Sequence, residues 1–81
     1  MMIHYTTDFV AGKNPVGYAG TIQHIGISRN RDPFEAVNIA NKELDDAAAD
    51  LGGNAILGYR CDIFTYGNDI CAHAYGTVVR F

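Results

Sequence analysis

Basic residues are scarce in this sequence and nowhere clustered. Six Lys and Arg stand against nine Asp and Glu, a formal charge of −3. Only Arg29 and Arg31 lie close together. A surface that grips phosphates needs grouped cations, so nucleic acid is excluded as a partner. Long apolar runs are missing as well. No stretch reaches the roughly 18 residues a membrane-spanning helix needs. The opening Met1-Met2-Ile3-His4 lacks the charged and apolar regions of a signal peptide. These absences point to the cytoplasm, where the only two cysteines, Cys61 and Cys71, stay reduced.

What is present suits one folded domain over residues 1–81, with 48% apolar residues. At this size a single core supplies only about 3–5 kcal/mol of net stability. Small chains are often completed by a disulfide, a metal or self-association.

The joint around which the chain is organised runs from Ala47 to Gly58. It reads as a helix end, a glycine stop at Gly52-Gly53 and a short apolar strand start, Ala55-Ile56-Leu57. Upstream, Asp32-Pro33-Phe34-Glu35 marks the helix start. Asp32 is placed to cap, Pro33 fits the first helical position and Glu35 stands at the capping-box position. Phe34, Val37, Ala40, Leu44, Ala47, Ala48 and Leu51 then recur at helical spacing and predict one buried stripe. Glu35, Lys42, Glu43, Asp46 and Asp50 occupy the other face, with Ile39 among them; a single exposed isoleucine there is ordinary, and contact with another subunit is the alternative. Asp45, Asp46 and Asp50 sit unfavourably near the negative end of the helix dipole.

Ile3 to Thr7 alternates like a short strand, and Gly12-Lys13-Asn14-Pro15 is turn material. Gly17 to Ile27 is the next strand, with glycines that suggest a bulge or a close neighbour. Ala55–Phe64 and Asp69–Phe81 form a hairpin about Tyr66-Gly67-Asn68. Ala55, Leu57, Tyr59, Cys61 and Ile63 then share a face with Ile70, Ala72, Ala74, Gly76 and Val78. That face is the more apolar and is expected under the helix. Arg60, Asp62, Cys71, His73, Tyr75 and Thr77 point the other way, with Asp62 beside Cys71 and Arg60 beside His73. Thiols on opposite faces cannot meet disulfide geometry, so both stay free and Cys61 acts as a small core residue.

Tyr5-Thr6-Thr7, Gly12, Gly20, Ala48-x-x-Leu51-Gly52, Asn54-Ala55-Ile56-Leu57-Gly58 and Tyr75-Gly76-Thr77-Val78-Val79 together resemble the YbjQ-like family. These are small bacterial proteins labelled as heavy-metal-binding domains. The resemblance implies an α+β fold of the dodecin-like kind, β-α-β-β, with one helix on a small antiparallel sheet, the last strand central and a short strand at the N-terminus. It also implies a ring-shaped homo-oligomer, typically a pentamer. The RcsF lipoprotein sensor is similar more distantly, through Tyr-Thr-Thr, Gly-Lys and Asn-Ala; of its cysteines only Cys61 has a counterpart here.

With the family label in view, Asp62, Cys71 and His73 are the candidate metal ligands, since carboxylate, thiolate and imidazole suit zinc or copper. One subunit offers only these three, so a ring would have to complete the site. A polar sheet face against solvent or a neighbour is the plainer reading of the same residues. The row Glu43, Asp46 and Asp50 reads as a solvated helix face. No serine or cysteine nucleophile stands in a recognisable context, and Gly17-x-x-Gly20 does not open a helix, so it is no phosphate loop. The functional expectation is therefore a non-catalytic homo-oligomeric domain, holding a metal ion or small ligand between subunits. Its alternatives are an enzyme or accessory subunit using a reactive Cys71, or an interaction module in stress sensing.

Overall fold

A computed structural model describes residues 2–81. The elements run β1 (Ile3–His4), β2 (Gly17–Ser28), α1 (Pro33–Asp50), β3 (Ala55–Tyr66) and β4 (Asp69–Arg80). The four strands form one sheet in the order β1-β3-β4-β2. β4 is central and antiparallel to both β2 and β3, while β1 runs parallel to β3. The α+β fold with its last strand central is thus as expected, except that β1 makes the sheet mixed. The helix lies across one face, chiefly over β2 and β4.

The helix begins where Asp32 accepts a hydrogen bond from the Phe34 N–H at 2.9 Å, with Pro33 at the first position. The reciprocal half of a capping box does not form. Asp32 N–H donates instead to Ser28 Oγ, at 3.0 Å, and Glu35 accepts from Asn30. The helix ends with Gly52 at φ 82°, its N–H on the Ala49 carbonyl and the Gly53 N–H on that of Ala48. This paired closure engages carbonyls of the last helical turn, that of Ala48 accepting from the Leu51 N–H as well.

The buried stripe is Ala36, Ala40, Leu44 and Ala48, four residues apart. Val37 packs at its margin, whereas Phe34 is 78% exposed and Leu51 also faces solvent. The cause is close approach. α1 rests on small residues, Gly26, Ala72 and Ala74, and over Gly26 the approach is so close that Ala36 and Ala40 meet it with backbone. Bulkier Phe34 and Leu51 fall at the helix ends, beyond that contact.

The hairpin loop is Gly67-Asn68, closed by the Tyr66–Asp69 pair. Gly67, at φ 61°, supplies the positive φ this loop requires. Asp62 therefore faces His73 and Arg60 faces Tyr75, two residues from the expected partners. A bulge at Gly58-Tyr59 makes a second correction. Beyond it Tyr59 and Cys61 do pack under the helix side, as expected, and Ile63 shares their side of the strand. Before it the alternation inverts. Ile56 joins the helix-side core, and Ala55 and Leu57 cross to the other face. There, with Val79, they are covered by Tyr5, Val10 and Phe81. Both cysteines are free. No helix among the described residues is long and apolar enough to cross a membrane.

Candidate functional site

The sheet face away from α1 is covered at one end only. Backbone bonds from Gly58 N–H to the Thr7 carbonyl and from Tyr59 N–H to that of Tyr5 hold the N-terminal segment over the bulge. Toward the hairpin tip the face is bare. β2 places Thr21, Gln23, Ile25 and Ile27 on it, β4 places Cys71, His73 and Tyr75, and β3 places Asp62, Phe64 and Tyr66.

The polar members of this face form a chain. Gln23 Oε1 and His73 Nε2 are 2.7 Å apart. The His73 and Tyr75 rings are tilted at 35° with centroids 5.0 Å apart. Tyr75 OH donates to Asp62 Oδ2 at 3.3 Å. Beside the chain lies a cavity of about 380 Å³ lined by Asp8, Gln23, Leu57, His73, Tyr75 and Thr77. Volumes of this order hold small ligands. Gly58 is required there, because it adopts φ 61° and a Cβ would come 2.7 Å from Asp8 Oδ1.

Asp62 and His73 are brought face to face. Cys71 is on the same face but only 3% exposed, level with Ile27 and Phe64 on its neighbouring strands. No three Asp, Glu, Cys or His side chains among the described residues lie close enough together to hold one metal ion. A single chain thus offers two adjacent donors, each already hydrogen-bonded, and does not itself fit a metal centre. Arg60 is turned away, its Nη1 donating to the carbonyls of Thr6 and Tyr59. The carboxylate row is divided among partners: Glu43 stands 3.6 Å from His24, and Asp46 accepts from Lys42.

A second polar group sits on the helix side. His4 Nε2 and Asp45 Oδ1 are 2.5 Å apart, and the His4 ring stacks on Tyr59 with centroids 4.4 Å apart. Tyr59 OH donates to Asn41 Oδ1. Burial pushes the Tyr59 phenol above its usual range, and the neighbouring Cys61 thiol and Asp45 carboxylate push the same way. This group ties β1 to the helix.

Gln23 and Asp8 are not among the residues singled out above as candidates. The alternation of β2 does put Thr21, Gln23, Ile25 and Ile27 on one face, but nothing local says that Gln23 falls opposite Tyr75 and next to His73. Asp8 reaches the site only through the backbone bonds at the bulge.

No family model matches the chain. It is 30% identical to a UPF0145 protein of Persephonella marina (strain DSM 14350 / EX-H1), the alignment covering 96% of this chain and 97% of the relative. Its fold matches the crystal structure of a protein of unknown function from Pediococcus pentosaceus ATCC 25745, of the DUF74 family, with a TM-score of 0.75. That match is 20% identical and covers 99% of this chain and 97% of the other.

Proposed function

The chain belongs to the UPF0145 family, the YbjQ-like group its sequence resembles, and on that footing we propose that it is a non-catalytic homo-oligomeric domain whose copies enclose a small ligand or a metal ion. One observation carries the reading. The bare end of the sheet exposes Ile25 to 51%, Ile27 to 44%, Phe64 to 39% and Tyr66 to 78%, grouped around the buried Cys71. A chain of 81 residues has little core to spare, and a grouped apolar surface of this kind marks a contact with another molecule. A pentamer is the assembly favoured by the family resemblance.

The cavity at Gln23, His73 and Tyr75 borders this surface, so association places it near a neighbour. In the metal version, Asp62 and His73 form half of a site and a second copy supplies the remaining donors. Light scattering on the unmodified chain and on an Ile25→Asp, Ile27→Asp double variant tests the assembly. The reading expects the variant to dissociate while keeping its circular dichroism; an unchanged assembly removes the open face from the interface. Zinc and copper titrations of the unmodified chain, Asp62→Ala and His73→Ala test the metal version. Equal affinity in all three dismisses those ligands. A reactive Cys71 is disfavoured by its 3% exposure, and slow reaction with a thiol probe in the folded chain is the expected result.

A further inference from the structure

The sheet has two unpaired edges. β2 is an edge strand along its whole length, and β3 is flanked by β1 and the segment after it only as far as Tyr59. Which backbone groups point outward follows from the pairing. Tyr66 and Asp69 close a two-residue loop and bond to each other, so Phe64, Asp62 and Arg60 also bond inward to β4. Cys61, Ile63 and Thr65 are left pointing outward. On β4 the alternate residues Ile70, Ala72, Ala74 and Gly76 bond to Ser28, Gly26, His24 and Ile22, so Thr21, Gln23, Ile25 and Ile27 point outward from β2. The bond from Tyr5 N–H to the Ile56 carbonyl fixes the same alternation before the bulge.

Neither edge carries charge or proline protection where the two would pair, and the one irregularity in β2, between Tyr18 and Gly20, lies outside Thr21 to Ile27. β2 contains no Asp, Glu, Lys, Arg or Pro in twelve residues, and β3 from Cys61 to Tyr66 has one charge, Asp62. Apolar side chains flank both. Phe64 and Tyr66 on β3, and Ile25 and Ile27 on β2, lie on the open face. Ile63 lies on the helix side, yet is 55% exposed because α1 covers β2 and β4 and scarcely reaches β3.

We infer that the Cys61–Tyr66 edge of one copy pairs in parallel with β2 of the next, head to tail, so that each copy uses both edges. This rests on the homo-oligomeric reading above and names its contact. The free groups select the geometry. Outward residues of β2 carry side chains on the open face, whereas those of β3 carry theirs on the helix side. In an antiparallel pair, bonded residues share a face, so an antiparallel β2–β3 join would put successive helices on opposite sides of the sheet. In a parallel pair each residue bonds to the two flanking its partner, and the helices stay on one side. The parallel join also sets the neighbour's helix, which lies over β2, beside the bare Ile63. On the open face it sets Phe64 and Tyr66 beside the neighbour's isoleucines. A two-fold pairing of β2 with β2 leaves Ile63 and the whole β3 edge uncovered. A heterologous contact of this kind closes into a ring when its rotation permits.

Proline removes an outward N–H without disturbing the pairing inside the chain. Ile25→Pro and Ile63→Pro should each abolish assembly with the circular dichroism retained. Mixed one to one, they should form a two-chain species, because each supplies the edge the other lacks. A mixture that stays monomeric, or a single variant that assembles like the unmodified chain, overturns the head-to-tail contact and leaves the homo-oligomeric reading standing. A monomeric unmodified chain overturns both. If a variant does not fold, amide exchange on the unmodified assembly decides. Slow exchange at Gln23 and Ile25, with Thr21 or Ile27 beside them, and also at Cys61, Ile63 and Thr65 supports the contact, and fast exchange at either set overturns it.

Discussion

Gly26 of β2 lies directly under Ala36 of α1. A Cβ added at Gly26 would stand 2.2 Å from the Ala36 carbonyl oxygen and 2.5 Å from the Ala40 nitrogen. Both are backbone atoms of a helix and cannot swing aside. Gly26→Ala should therefore lift α1 from the sheet and cost about 3 kcal/mol, the upper end of overpacking penalties. Gly17→Ala, whose added methyl meets nothing within 4 Å, is the control and should stay within about 0.5 kcal/mol. Urea denaturation of both variants measures the difference.

Among the described residues Leu44 is, with Ile56, one of the largest fully buried side chains, and the only large one in the helix stripe. Leu44→Ala should lose about 2–5 kcal/mol, through lost burial and the cavity left between α1 and the sheet. A loss below 1 kcal/mol on denaturation would mean that α1 does not rest on this residue.

Asp32→Ala should cost about 1 kcal/mol, because the Phe34 N–H loses its acceptor. Asp32→Asn, which keeps an acceptor, should recover most of that loss. Thermal melts of the two variants give the comparison. Equal losses would show that the charge at the helix start, rather than the hydrogen bond, carries the effect.

Tyr59 gives the chain a dependence on alkaline pH. Its phenol ionises above the usual value of about 10 in the folded chain, with burial the main cause. The unfolded chain releases this proton first as pH rises. The contribution is fully present below about pH 10 and is lost as pH climbs through the folded pKa. Tyr59→Phe lacks the bond to Asn41 and should be less stable near neutrality by about 1 kcal/mol. The gap between the two proteins should narrow above about pH 10. A gap that stays constant from pH 8 to 11 would contradict the shift.

The ends of α1 are legible in the residues because capping is local: Asp32-Pro33 starts the helix and Gly52-Gly53 stops it. The face assignment of β4 is legible too, since its small residues recur at every second position from Ala72 to Gly76. What was hidden depends on distant contacts. Phe34 and Leu51 fit a helical stripe by spacing alone, yet α1 meets Gly26 with the backbone of Ala36 and Ala40, and both large residues fall beyond that contact. The bulge at Gly58-Tyr59 exchanges the faces of Ala55 and Leu57, and its cause is the N-terminal segment bonded across it. The Gly67-Asn68 loop moves Asp62 opposite His73, a shift of two residues that sequence could not choose. Asp62 pairs with His73 and not, as expected, with Cys71; Cys71 is walled in by its cross-strand neighbours, and Gln23 enters from a strand far away in the chain.

Sedimentation velocity of the unmodified chain at micromolar concentration tests most directly whether the bare sheet end and its free edges are contact surfaces. One chain has a mass of 8.8 kDa. The account predicts a single assembled species at a whole multiple of that mass, five copies being favoured. A boundary at 8.8 kDa that does not shift with concentration would contradict it.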